Sequence, residues 1–230
     1  VENPGEVARK VSDRHFGIGS DGLILIKPSL EADFEMDMYN SDGSQGAMCG
    51  NGIRCVAKYV YDYGLTDKDE ISIATKSGIK YVKLQVENGK VKTVRVDMGA
   101  PILNAGLIPI VSENPQVINE AITAGGREYR MTGVSMGNPH CVIFLNKKEE
   151  LDQIPMEVYG TEMEHHPAFP NGTNVEFAWI QDAGHIFVRV WERGCGETKA
   201  CGTGACAVAA AAMRMRKCAM SVVVVLPGGE

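Results

Sequence analysis

The sequence predicts an α+β chain of two pseudo-symmetric halves, each a mainly antiparallel sheet wrapped around one central helix. Three observations carry this. Segments that alternate apolar and polar residues at period two outnumber helix-like ones. Each half holds one small, apolar helix-like run opened by Cys-Gly-x-Gly. The run from Met48 to Ala57 recurs from Ala200 to Ala209, with Cys49 matching Cys201 at an offset of 152 positions. That offset is far too long for a solenoid and reads as a duplicated domain.

The elements follow in order. Asn3-Pro4 is an N-cap and first-turn pair, predicting a helix to about Arg14. Leu23–Ile26 reads as a strand. Phe34, Met36 and Met38 alternate with Glu35 and Asp37, which predicts a second strand ending at Tyr39-Asn40. A helix is expected from Cys49 to about Tyr63, closed by Gly64. Strands are expected at 71–74, 81–86 and 91–97, with Glu87-Asn88-Gly89 as a hairpin turn. Gly99-Ala100-Pro101 is the expected seam, giving halves 1–100 and 101–230. The second half predicts strands at 141–145, 174–180 and 186–190, and helices at 156–165 and from Cys201 to about Lys217.

Composition bounds the function. Of 230 residues, 44% are hydrophobic and 23% charged, as in an ordinary globular protein rather than a disordered one. The net charge of −6 argues against a nucleic-acid partner. No apolar run approaches the roughly 20 residues that span a bilayer, and the opening Val1-Glu2-Asn3-Pro4-Gly5 is unlike a signal peptide. The expectation is a cytoplasmic protein with neither membrane nor nucleic-acid partner. The seven cysteines are an odd number without a Cys-x-x-Cys pair, so no zinc ribbon or thioredoxin motif is present.

Cys49 and Cys201 stand where a helix begins. There the positive end of the macrodipole favours thiolate over thiol, and uncovered backbone N–H groups make an anion site. Two such ends facing one cleft would suit proton exchange at a carbon next to a carboxylate: one thiolate removes the α-proton, and the opposite thiol delivers another. Neither metal nor other cofactor is called for. For a lone motif, buried packing would be the better reading; duplication reverses it. Packing remains the expectation for Cys55, Cys141, Cys206 and Cys218. Cys195 has no counterpart, since position 43 is Gly. Gly17-Ile18-Gly19-Ser20-Asp21-Gly22 matches the dinucleotide fingerprint, but a strand follows where that motif needs a helix.

Three motifs resemble the diaminopimelate epimerase family: Asn40-Ser41-Asp42-Gly43-Ser44 with Met48–Cys55, Ser135-Met136-Gly137-Asn138-Pro139-His140, and Glu192–Thr198 with Ala200–Cys206. The resemblance implies two barrel-like halves and a cofactor-independent epimerase that interconverts LL- and meso-diaminopimelate, a small-molecule substrate. It implies Cys49 and Cys201 as the catalytic thiols. Gly50, Asn51, Gly202 and Thr203 would hold the reacting carboxylate through their amides. Asn40, Asn138, Asn174, Glu192 and Arg193 would grip the substrate, and His140 and Glu192 would tune the thiols. A homodimer is a family expectation.

By residue type alone the three asparagines are ordinary turn formers, and Glu192-Arg193 is an ordinary surface pair. Gly22 stands where some family members carry a substrate-contacting Gln. At an offset of 152, the partner of Asn138 falls before Val1, and those of residues 81–96 fall after Glu230. Relative to the family the chain therefore reads as truncated at both ends, which predicts weakened activity or stability. The alternatives are a proline-racemase-like two-cysteine enzyme and a non-catalytic thiol or metal-binding protein.

Overall fold

The computed structural model describes residues 1–230. The chain forms two compact units, Val1–Met98 and Gly99–Glu230. The first contains α1 (Pro4–Ser12), β1 (Gly22–Lys27), β2 (Phe34–Asn40), β3 (Gln45–Gly46), α2 (Gly50–Asp62), β4 (Glu70–Thr75), β5 (Gly78–Glu87) and β6 (Lys90–Val96). The second contains a 3-10 turn (Ala105–Leu107), then β7 (Glu120–Ala124), β8 (Arg127–Ser135), β9 (Pro139–Leu145), α3 (Lys148–Gln153) and α4 (Met156–Glu164). It continues with β10 (Asn174–Asp182), β11 (His185–Glu192), β12 (Gly196–Thr198), α5 (Gly202–Arg214) and β13 (Val223–Val225).

The expected α+β architecture is present in both units. In the first, the sheet order is β1-β2-β4-β5-β6, with β3 paired to β2. Every pairing is antiparallel except β2 with β4. In the second, the order is β12-β11-β10-β9-β8-β7, with β13 on β11. There β9 with β10 and β11 with β13 are the parallel pairs. The duplication is exact at its centre: α2 and α5 start and end 152 positions apart. β1, β2, β3 and β4 answer to β10, β11, β12 and β13 at the same offset, while β5–β6 and β7–β9 have no counterpart.

Each central helix is held by its sheet. α2 buries Ile53, Val56, Ala57 and Val60 against β5 and β6. α5 buries Ala207, Val208, Ala211 and Ala212 beneath β8, β9, β10 and β11. The small side chains of α5 let strand side chains approach it closely, so its apolar stripe needs no large residue. Phe177, fully buried, anchors the other face of the second sheet with Tyr129 set edge-on 5.6 Å away.

Three details differ from expectation. Asn3 adopts φ 48°, ψ 60° and its side chain caps nothing; Pro4 alone opens α1, which stops at Ser12. α5 ends at Arg214, before the left-handed Arg216. The β7–β8 hairpin was not anticipated. Gly125 and Gly126 turn it at φ 58° and 70°, as a two-residue loop with both positions left-handed requires. The Asn88-Gly89 turn has the same geometry, with φ of 52° and 72°.

Candidate active site

The two cysteines are the N-caps of their helices. Cys49 has φ −135°, ψ 116°, and Cys201 has φ −134°, ψ 109°, so the extended strand-side backbone aims each sulfur back over the first turn. Cys49 Sγ accepts the Gly52 N–H at 3.3 Å, and Cys201 Sγ accepts the Gly204 N–H at 3.4 Å. Sulfur here does the work that a Ser or Asp oxygen does at an ordinary cap. The last glycine of each motif is required by space. A Cβ on Gly52 would lie 2.7 Å from Ile24 Cδ1, and one on Gly204 would lie 2.8 Å from Glu176 Oε1. Each glycine therefore lets the first turn settle onto the strand that follows its fold-mate's pattern, β1 in one unit and β10 in the other.

The surroundings of the two thiols differ. Cys49 is half-buried, and Arg54 reaches back to bond Asn51 Oδ1 and the Gly50 carbonyl. Asn40 donates to Ser44 Oγ at 3.0 Å, closing the loop before β3. Cys201 is 5% exposed and sits among carboxylates. Burial, then the charges of Glu192 and Glu176, push its thiol up to about 12, against the Thr203 hydroxyl and the Gly204 N–H, which favour thiolate. The expected helix-end lowering is thus overturned at Cys201: desolvation outweighs the dipole. Glu192 is half-buried and raised as well, first by burial and further by the Glu176 charge; bonds from Thr198 and Cys201 oppose this. Thr198 Oγ1 donates to Glu192 Oε1 at 2.5 Å.

This shift has a consequence for stability. The folded thiol holds its proton above its ordinary value of 9.0, where the unfolded chain releases it. The unfolded state then binds fewer protons, so stability falls as pH rises from 9 toward 12. Cys141, fully buried, is raised in the same direction by burial. Cys201→Ala is therefore expected to make the loss shallower by about 1.4 kcal/mol per pH unit, checked by urea unfolding at several values in that window.

Other residues singled out in the sequence are held as follows. His140 is fully buried, with Nδ1 2.6 Å from Glu176 Oε1 and Nε2 3.0 Å from Asn138 Oδ1. Asn174 is buried; its Nδ2 donates to the Pro139 carbonyl and its Oδ1 accepts the Arg193 N–H, both at 2.9 Å. It ties β9, β10 and the Glu192-Arg193 loop together. The Arg193 side chain is exposed and bonds the Asn171 carbonyl at 3.0 Å. Asn138, His140, Asn174, Glu192, Arg193, Gly202 and Thr203 all belong to the second unit with Cys201; Asn40, Gly50 and Asn51 belong to the first with Cys49.

Cys195 is exposed and its N–H closes a turn onto the Glu192 carbonyl. No disulfide joins it to Cys201. Cys55 is exposed rather than packed, because it falls on the outer face of α2. Cys206 and Cys218 are half-buried.

Two acidic residues escaped the sequence reading. Glu176 is fully buried on β10 beneath the first turn of α5. Glu164, at the end of α4, accepts the Trp191 indole N–H at 2.7 Å and the Gly194 N–H at 2.8 Å. It clamps the loop that carries Glu192 from both sides. Only Glu176 carries a signal in the sequence, a lone acid within the apolar run from Val175 to Ile180; Glu164 lies in a polar run and carries none.

The diaminopimelate epimerase family model matches residues 1–104 and 132–230. A diaminopimelate epimerase of Methanococcus maripaludis is 54% identical over 230 residues, all of this chain and 82% of that one. The chain belongs to the diaminopimelate epimerase family. The relative from Acetivibrio thermocellus is 53% identical and is covered over 81% of its length. Among solved structures, a hydroxyproline epimerase of Agrobacterium vitis superposes with a TM-score of 0.71 at 17% identity, covering 96% of this chain and 68% of that one. A probable proline racemase of Agrobacterium radiobacter gives 0.73 at 16%, covering 98% and 70%. At those identities the structures share the fold with this family member, and the two-unit α+β architecture is common to them.

Proposed function

We propose that this chain interconverts LL- and meso-diaminopimelate by proton exchange at Cα, with Cys49 and Cys201 as the two proton-handling groups. The observation that carries this is the pair of cysteine-capped helices at equivalent places in a duplicated fold, in a member of this family. Inversion at carbon needs one group on each face. Cys201, kept protonated by burial, starts as the acid in one direction. The Cα proton goes to the Cys49 thiolate as the Cys201 proton reaches the opposite face, so the thiol and thiolate exchange places and no proton is lost. In the reverse direction Cys201 must begin as thiolate. That is the state the forward step leaves, with Cys49 as the thiol; Glu192 accepts a bond from the Cys201 thiol and is the group beside it placed to exchange that proton between turnovers.

The first-turn N–H groups of Gly50, Asn51, Gly202 and Thr203 bind the carboxylate and stabilise the charge that builds up on it. Asn40, Asn138, Asn174 and Arg193 orient the amino acid, and His140 acts on the site through Asn138. The chemistry as drawn uses side chains and amides alone. We further propose a cytoplasmic enzyme acting as a homodimer. No helix is long and apolar enough to cross a membrane.

The test is turnover of LL-diaminopimelate in deuterium oxide. Product meso-isomer is expected to carry deuterium at the inverted Cα. Formation of meso-isomer without deuterium at that carbon would exclude exchange through thiols in contact with solvent; proline inversion in its place would favour the racemase reading.

A further inference from the structure

We propose that Glu176 is a positioning residue that sets the direction of a hydrogen-bond chain ending on the Cys201 sulfur. The chain lies wholly in the second unit. It runs from Glu176 Oε1 to His140 Nδ1 (2.6 Å), from His140 Nε2 to Asn138 Oδ1 (3.0 Å), from Asn138 Nδ2 to Thr203 Oγ1 (3.3 Å), and from Thr203 Oγ1 to Cys201 Sγ (3.4 Å). The inference rests on Cys201 being one of the two proton-exchanging thiols.

The direction follows from burial and from what each atom can do. Glu176 and His140 are both 0% exposed. Glu176 Oε2 has no partner, so nothing else offsets a bare charge on this carboxylate. A pair with no net charge is the arrangement that low-dielectric surroundings favour. Such a pair holds two protons: one shared across the 2.6 Å contact, and one on Nε2. Nε2 then donates to Asn138 Oδ1. This fixes the amide, whose Nδ2 donates to Thr203 Oγ1. The Thr203 hydroxyl is left to donate to Cys201 Sγ, which favours the thiolate. A bare charge on Glu176 would raise the thiol; offset by His140, the carboxylate instead orients a donor toward it.

Glu176→Gln separates the two. A Gln accepts the Nδ1 proton, the ring is neutral, and the pair still has no net charge. Nε2 becomes an acceptor, so Asn138 turns its Nδ2 to the ring and its Oδ1 to Thr203. The Thr203 hydroxyl is then drawn away from the sulfur. The probe is iodoacetamide alkylation of the full chain without substrate, followed peptide by peptide. Below the thiol's own titration the rate tracks the thiolate fraction at every pH. Glu176→Gln is expected to slow alkylation of Cys201 about tenfold, the effect of one pKa unit, and to leave the exposed Cys55 unchanged.

A merely structural role predicts the opposite sign, because a loosened α5 would expose Cys201 and speed its reaction. Thr203→Val removes the last donor and is expected to slow Cys201 equally; Thr203→Ser restores the rate, and Glu176→Gln with Thr203→Val is no slower than either alone. Unchanged or faster alkylation of Cys201 in a folded Glu176→Gln variant overturns the proposal. If that variant does not fold, equal rates in the parent and Thr203→Val overturn it. The readout needs no turnover, so slowed alkylation in a chain that does not epimerise diaminopimelate would uphold the relay and reject the assigned reaction instead.

Discussion

Cys49→Ala and Cys201→Ala are each expected to lower epimerisation of diaminopimelate by about a thousandfold or more, the range lost with a positioned general acid or base. The reason is stereochemical. A carbon inverts only when the proton that leaves one face is replaced from the other, so a single remaining thiol can return a proton only to the face it came from. The double variant is expected to be no slower than either single one, because the two groups act in one event. Chiral separation of the diaminopimelate isomers after incubation checks this. Full inversion by both single variants would remove the cysteines from the reaction.

The second large effect is expected at Gly204. An added methyl would stand 2.8 Å from Glu176 Oε1 and 3.3 Å from the Cys201 side chain. Backbone and a fully buried carboxylate meet there, and Glu176 is itself tied to His140 at 2.6 Å, so it has no direction in which to give way. Gly204→Ala is therefore expected to lift the first turn of α5 by a fraction of an ångström. That would cost about 1–3 kcal/mol of stability, as overpacking does, and about a hundredfold in turnover, as misplacement of a reacting group does. Gly52→Ala meets the end of Ile24, a flexible side chain, at 2.7 Å. It should be milder in turnover, and measuring both variants by thermal unfolding and isomer ratio compares the two motifs directly.

Much of this was legible in the sequence, and what was not has identifiable physical causes. The duplicated Cys-Gly-x-Gly turns placed both helix starts, because cap, glycine and apolar run occur together only at a helix N-terminus. β2 and β11 were readable because one face of each packs on a core: Ile186, Val188 and Val190 are 0–2% exposed, and Met36 is buried with Phe34 and Met38 partly covered beside it. β8 was not, because its last residues, from Met131 to Ser135, are buried on both faces, between α5 and the loop bearing Ile108, Ile110 and Val117. A strand covered on both sides loses its alternation. Glu176 was missed for the same reason. Val175 and Phe177 face one core, and a charged residue between them reads as solvent-facing. The face that should be wet is covered by α5, and the carboxylate pairs with an imidazole instead. The raised thiol of Cys201 was also out of reach, since it depends first on burial and then on the charges of Glu192 and Glu176, which only the fold brings together.

One structural detail bears on how such a chain holds its identity under mutation. Both central helices begin on sulfur, at 3.3 and 3.4 Å from the amide they cap. A hydroxyl at the same place is the stronger acceptor, and serine is among the favoured cap residues. Cys49→Ser or Cys201→Ser should thus yield a protein as stable as the parent or up to about 1 kcal/mol more so, yet unable to invert its substrate. Random drift filtered only for folding would carry both positions from sulfur to oxygen by a single small change. On the proposed function, chemistry is the filter that acts against that drift, and selection for reactivity at these two helix starts would oppose selection for the fold.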